Sequence, residues 1–329
     1  MKKKGSADEG RGKLSGSRRD VLSSGRGKHP AAGSGTASGG SRGDSLGNSR
    51  ETITSTGNAR IRNVINLKNK AKERREQDLF LVEGIRMFLE APSDRIAGIY
   101  MSESFYRKNA GNPKVQSILA SCRFDLVSDA VFAAMSDTKT PQGVICLIRQ
   151  FHYTALELFA QPAENDRMKA RPPLLMVLED IQDPGNLGTI LRTGEGAGVT
   201  GILMSSGCVD IYNPKVIRST MGSVYRVPFA VAKDLKGTLE DWKQRGMKLY
   251  AAHLGGRRSY DQEDYTGPTA FLIGNEGNGL TDETARLADH YILIPMLGQV
   301  ESLNAGVASA LLMYEAARQR RMRQGEAAF

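Results

Sequence analysis

The sequence predicts an α/β protein in which a parallel-sheet domain with helices on both faces follows a smaller α/β domain and a disordered basic tail. Short runs of Val, Leu and Ile, bounded by Gly, Pro and Asn, alternate with helix-period stretches over most of the chain. The alternation pauses at a polar, proline-containing stretch around residues 151–172 and then resumes, which divides the folded part in two. Residues 1–50 hold almost no large apolar side chains and are crowded with Ser, Gly, Lys and Arg. They cannot bury enough surface to offset their ordering entropy, so a tail is expected over residues 1–58.

A length of 329 residues suits about two ordinary domains. The formal charge is +9, and residues 1–50 supply +7 of it, with eleven Lys and Arg against four Asp and Glu. A basic excess suggests a polyanionic partner, but on a floppy arm it says little about the folded surface. Cys122, Cys146 and Cys208 are an odd number without metal-ligand spacing, which favours a reducing compartment. No apolar run approaches the roughly 18–20 residues of a membrane span, and no apolar segment follows the basic start as a secretory signal requires. A cytoplasmic protein without metal is therefore expected.

In residues 59–150 a basic cluster (Arg60, Arg62, Lys68, Lys70, Lys72, Arg74, Arg75) leads into the strand-like Leu79–Val82. A helix is expected at Ile85–Glu90, a strand at Ile96–Met101, a helical stretch around Val115–Ser121, and strands at Phe124–Val127 and Gly143–Ile148. The basic cluster reads either as a solvated helix face or as a contact to an RNA backbone. Residues 151–172 read as a linker, and residues 173–329 as the second domain. Its strands are expected at Leu174–Leu178, Gly201–Met204, Val227–Val231, Lys248–Ala252, Ala270–Ile273 and Tyr291–Ile294. No internal repeat is visible.

Three segments of the second domain carry chemical signals. After the first strand runs Asp183-Pro184-Gly185-Asn186-Leu187-Gly188, then Arg192-Thr193. Pro-Gly makes a tight turn, and Asn186 is suited to cap the following helix. Leu187, Ile190, Leu191 and Gly194 form its buried stripe, which turns Arg192 toward the carboxyl edge of the sheet, where open α/β sheets bind ligands. The second segment, Gly274-Asn275-Glu276-Gly277-Asn278-Gly279, follows a strand and precedes a helix capped by Thr281. Its spacing matches neither a dinucleotide fingerprint nor a phosphate loop. Asp282 and Glu283 at that helix start disfavour a phosphate, so a loop gripping an uncharged adenosine by backbone groups fits better. The third, Ile294-Pro295-Met296 to Ser302-Leu303-Asn304, joins a strand to the last helix, whose apolar face is read as Leu303, Val307, Leu311 and Tyr314. Arg318, Arg320, Arg321 and Arg323 suit that helix's negative end.

In order and spacing these segments, with Asn213-Pro214-Lys215-Val216-Ile217-Arg218, resemble the SpoU (TrmH-like) branch of the SPOUT RNA methyltransferases over about residues 172–322. Residues 60–150 resemble, more loosely, the ribosomal-protein-like substrate-binding domain of its ribosomal RNA members. The resemblance implies a trefoil-knotted catalytic domain, a homodimer, S-adenosylmethionine as cofactor, and methyl transfer to a ribose 2′-hydroxyl of RNA. Large-subunit ribosomal RNA is the favoured target and transfer RNA the alternative. Carried over, the family's catalytic positions fall on Asn186, Arg192, Glu276, Ser302 and Asn304. Cofactor contacts fall on Ala252, Gly274, Ile294 and Leu303, and Arg60, Arg62, Lys68 and Arg218 are expected to meet RNA. A non-catalytic RNA-binding or ribosome-assembly protein is the competing reading, disfavoured by intact Asn186, Arg192 and Asn304. A nucleotide-binding oxidoreductase lacks its glycine fingerprint.

Overall fold

The structure, a computed structural model, describes residues 51–160 and 171–323. Nearly all of the expected tail lies outside the described residues. Its last residues do not behave as tail: Ile53 is buried and pairs with Val127, its amide donating to Leu126 O at 2.9 Å.

The first part of the fold runs α1 (Ala59–Asn69), α2 (Ala71–Gln77), β1 (Leu79–Glu83), α3 (Ile85–Glu90), β2 (Ile96–Ser102), α4 (Glu103–Asn109), α5 (Pro113–Ser121), β3 (Phe124–Val127), α6 (Asp129–Met135) and β4 (Val144–Arg149). The strands form a mixed sheet in the order β1-β4-β2-β3, with β4 antiparallel to both neighbours and β3 parallel to β2. Residues alternate across it as the two-residue period demands. Leu81, Tyr100, Ile145 and Leu147 meet Ile61, Val64 and Leu67 of α1 and Phe132 and Met135 of α6. Phe80, Val82, Ile99, Met101, Cys146 and Ile148 face the other way and join the core beneath the second sheet.

The second part runs α7 (Ala155–Ala160), β5 (Leu174–Leu178), α8 (Pro184–Ala197), β6 (Gly201–Ser205), α9 (Pro214–Thr220), β7 (Phe229–Ala232), α10 (Leu235–Gln244), β8 (Lys248–Ala252), β9 (Arg258–Ser259), β10 (Thr269–Ile273), α11 (Asp282–Leu287), β11 (His290–Leu293) and α12 (Ala305–Arg323). All strands are parallel, in the order β7-β6-β5-β10-β8-β11-β9. Leu174, Met176 and Leu178 of β5 pack toward α8 and α12, while Leu175 and Val177 pack on the α10 and α11 side. α7 falls inside the stretch read as linker, yet its Leu158 is fully buried and sits against Gly201. Because β10 returns between β5 and β8, the loops after β5 and β10 leave the sheet side by side at its topological switch point.

The two sheets are joined by satisfied polar groups. The Tyr212 hydroxyl accepts from Phe151 N at 2.7 Å and donates to Phe151 O at 2.9 Å. Arg74, read as part of a solvated or RNA-facing cluster, is buried instead. Its guanidinium donates to Asp210 Oδ2 at 3.0 and 2.6 Å and to Leu67 O at 2.7 Å, so the charge is spent inside the protein. Among the described residues no helix is long and apolar enough to cross a membrane.

Candidate active site

The turn after β5 holds Asp180 at a positive φ of 55°, fixed by Ser205 Oγ donating to its carboxylate at 2.6 Å. Asp183 then caps α8 by accepting from Asn186 N at 2.8 Å, with Pro184 at the first helical position. The cap is thus Asp183, not Asn186 as expected. The short Asp side chain already takes the exposed amide, so the Asn186 amide group is left for other work. Its Nδ2 donates to Glu276 Oε1 at 2.9 Å, and its Oδ1 accepts from Asn304 Nδ2 at 2.8 Å. Asn304 Oδ1 in turn accepts from Gly306 N at 2.9 Å at the start of α12. Three segments far apart in sequence therefore meet in one hydrogen-bonded chain, Glu276–Asn186–Asn304.

Glu276 also accepts the backbone amides of Gln182 and Asp183, each at 3.0 Å. Burial pushes its carboxyl up, but the hydrogen bonds from Asn186 and these amides outweigh it and hold the group below the usual carboxylate range. The loop carrying Glu276 is closed on itself. Asn275 N donates to Gly279 O at 3.0 Å and Gly279 N to Asn275 O at 2.9 Å. A Cβ on Gly274 would stand 2.0 Å from the Gly279 carbonyl carbon, so only glycine permits this closure.

Ala252, Gly274 and Ile294 lie at the carboxyl ends of β8, β10 and β11, which the register sets side by side. Leu303 is half-buried beside Asn304. The edge these positions form offers backbone groups and small apolar side chains, a donor set that suits an uncharged adenosine better than a phosphate. Ser302 is exposed and has no hydrogen-bond partner among the described residues, so the structure does not bring it into the chain. Nor does it bring in Arg192, which is exposed and without a polar partner there. Arg192 shares a helix face with Gly188 and Gly196, against which Ser219 and the Tyr314 hydroxyl are packed, so it projects between α9 and α12.

Most of the residues expected to meet RNA are engaged within the protein. Arg60 pairs with Asp125 and Arg218 with Asp137, both at 2.6 Å, while Lys68 Nζ donates to Ala134 O and Ser136 O at the end of α6. Arg62 is exposed.

The apolar face expected on α12 is its outward one. Val307, Leu311 and Tyr314 are exposed, whereas Ala305, Ser309, Leu312, Met313 and Ala316 are buried, because small residues allow the helix to sit close on α8. Arg320, expected to complement the helix dipole, is also buried. It donates to the carbonyls of Tyr265, Pro172, Pro173 and Gly267, and burial, with the nearby Arg171 charge, lowers its pKa to about 10. Glu179 was missed by the sequence reading altogether, although a carboxylate directly after a fully apolar strand is itself a signal, since such groups are seldom buried unpartnered.

Residues 173–314 match the SpoU rRNA Methylase family, and residues 58–146 match the MRM3-like substrate binding domain. The 23S rRNA (guanosine(2553)-2'-O)-methyltransferase of Bacillus subtilis is 30% identical over 262 residues, which is 80% of this chain and 97% of that protein. The chain belongs to the SpoU rRNA methylase family. It is accordingly an RNA methyltransferase that draws its methyl group from S-adenosylmethionine. An uncharacterized tRNA/rRNA methyltransferase of Synechocystis is 34% identical over 82% of this chain and 94% of its own length. Among solved structures, the AdoMet-bound rRNA methyltransferase of Sinorhizobium meliloti superposes with a TM-score of 0.71 at 27% identity, covering 82% of this chain and 97% of that one. The AdoMet complex of the SpoU methyltransferase AviRb from Streptomyces viridochromogenes gives 0.66 at 26% identity, covering 80% and 98%.

Proposed function

We propose that this SpoU-family enzyme methylates a ribose 2′-hydroxyl of large-subunit ribosomal RNA, working as a cytoplasmic homodimer. The Glu276–Asn186–Asn304 chain carries the reading. It fixes the three sheet-edge loops to one another beside the strand ends where Ala252, Gly274 and Ile294 offer backbone groups to the cofactor. Leu303 would close over it from the segment leading into α12. The family's trefoil knot would fall in the segments following β8, β10 and β11.

When bound, S-adenosylmethionine supplies an already activated methyl group. What is left to the chain is alignment, worth about 7–11 kcal/mol in well-oriented systems, and management of the hydroxyl proton. Arg192 has no polar partner among the described residues and is suited to grip a phosphate next to the target ribose by two parallel donors. A guanidinium so placed either lowers the pKa of the attacking hydroxyl, whose proton then passes to water, or brings the phosphate up as the proton acceptor. Ser302, in the segment leading into α12, would orient the ribose. The outward stripe Val307, Leu311 and Tyr314 lies next to Arg192, so a second copy seated there would meet RNA and cofactor at a shared face. Residues 59–150 would hold the RNA, with Arg62 contacting backbone phosphate and Arg60 and Lys68, together with Arg218 of α9, available after exchange of their internal partners. The Bacillus subtilis relative is a 23S rRNA methyltransferase, which supports the same substrate class here.

Mapping 2′-O-methyl groups in ribosomal RNA from cells with and without the gene tests this. One ribosomal ribose losing its methyl supports it; unchanged ribosomal RNA with a methyl lost from transfer RNA overturns the substrate assignment.

A further inference from the structure

Glu179 is a buried carboxylate outside the Glu276–Asn186–Asn304 chain, and it has no cationic partner among the described residues. Burying an ion without a counter-charge is costly, and the cost is tolerated only where hydrogen bonds converge on it. Here they do. Thr281 N donates to Oε2 at 2.8 Å, and Thr281 Oγ1 and Thr284 Oγ1 donate to Oε1 at 2.9 and 2.5 Å. All three donors belong to the N-cap and first turn of α11. The Glu179 backbone amide meanwhile donates to Ile273 O at 2.9 Å, the last residue of β10. One residue therefore holds both ends of the 274–280 loop: the carbonyl that enters it and the amide and hydroxyl that leave it. A third tie, Asn275 Nδ2 to Asp180 O at 2.8 Å, comes from the next residue along the same turn.

We propose that Glu179 is a positioning residue for the cofactor, acting through the loop it fastens and not by touching the cofactor itself. The proposal rests on the reading above that residues 274–280 contact S-adenosylmethionine. A carboxylate suits the place, because the Thr281 amide can only donate and both threonine hydroxyls are turned to donate as well. In Glu179→Gln the charged acceptor is lost and both hydroxyls must turn round to accept from the amide nitrogen, so the tie at the loop's exit is weakened while the strand beneath is unchanged.

The test is titration of the full chain with S-adenosylmethionine, steady-state kinetics in both substrates, and hydrogen exchange of residues 274–281 with and without cofactor. Glu179→Gln is expected to raise the Kd and KM for S-adenosylmethionine about tenfold, the size of effect that a hydrogen bond to a charged group commands. The KM for RNA should stay unchanged, and exchange within 274–281 should quicken. Unaltered cofactor affinity, or a loss confined to melting temperature and active fraction, overturns the proposal. If cofactor does not slow exchange of 274–281 in the natural protein, the underlying reading fails and the proposal with it. Should Glu179→Gln not fold, Thr284→Val removes one donor and keeps the charge. It is expected to shift the same affinity by a smaller factor, and no shift overturns the proposal.

Discussion

The Asn186 side chain donates to Glu276 Oε1 at 2.9 Å, although the two stand 90 positions apart in the sequence. That bond, with the amides of Gln182 and Asp183, outweighs the upward push of burial and holds the Glu276 carboxyl below its ordinary range. A depressed carboxyl stabilises the fold fully above its unfolded pKa, about 4.3, and loses that contribution as the pH falls through its folded value. The melting temperatures of the natural protein and Glu276→Gln should therefore differ at pH 7 and converge as the pH falls below the usual carboxylate range. A gap that persists in acid would show that the charge is not what holds the loop.

Arg192→Ala should keep the fold and cofactor binding and lose nearly all methyl transfer, since the side chain is exposed and makes no hydrogen bond or ion pair among the described residues. Arg192→Lys should recover part of the activity if the residue serves as a phosphate-binding charge, less than the natural enzyme because the ammonium lacks the planar fork. Single-turnover rates at saturating RNA decide the matter. Full activity in Arg192→Ala would remove this residue from the mechanism.

Leu311 and Tyr314 project from α12 with Val307 as an apolar stripe that is left exposed among the described residues. The double change Leu311→Lys and Tyr314→Lys should give a folded monomer by light scattering, with activity lost. If the natural protein is already monomeric at micromolar concentration, the shared-face reading is wrong.

Asp210 keeps the buried Arg74 charge paired across the two sheets. Asp210→Ala should cost about 3 kcal/mol in a urea melt, because the cation is left inside with carbonyls only. A loss below about 1 kcal/mol would mean that the carbonyls of Leu67 and Lys68 suffice.

Gly188 lets α9 cross α8 closely: a Cβ there would come within 2.3 Å of Ser219 Cβ and 2.8 Å of Val216 O. Gly188→Ala should therefore destabilise by about 1–3 kcal/mol through overpacking. Adding Ser219→Gly should restore part of it, and an additive double mutant would place the strain elsewhere.

Locally encoded features were legible in the sequence. The strands Leu174–Leu178, Lys248–Ala252 and Phe124–Val127, the helix Ile85–Glu90 and the Thr281 cap follow from apolar runs, turn residues and short polar side chains within a few positions of one another. The three site segments were legible for the same reason, each being a strand, a glycine- or proline-bearing turn and a helix start. α1 was not, because Ile61, Val64 and Leu67 are spaced among enough charge and Asn to hide a buried stripe.

What the sequence determined by itself was therefore the kind of each element and the chemistry at its ends. The tertiary structure alone decided which groups meet. It gave the α8 cap to Asp183 and so released Asn186 for Glu276 and Asn304. It turned Leu312 and Met313 of α12 inward and Val307 and Tyr314 outward, and it buried Arg74, Arg320 and Glu179 among partners from distant segments. The physical reason is range. Helix and strand periods, caps and turns are set by backbone sterics and hydrogen bonds between near neighbours. A buried charge or a helix's inner face is set by whatever surface the sheet order brings against it, and in this chain β10 reaches β5 only after some ninety residues have gone elsewhere.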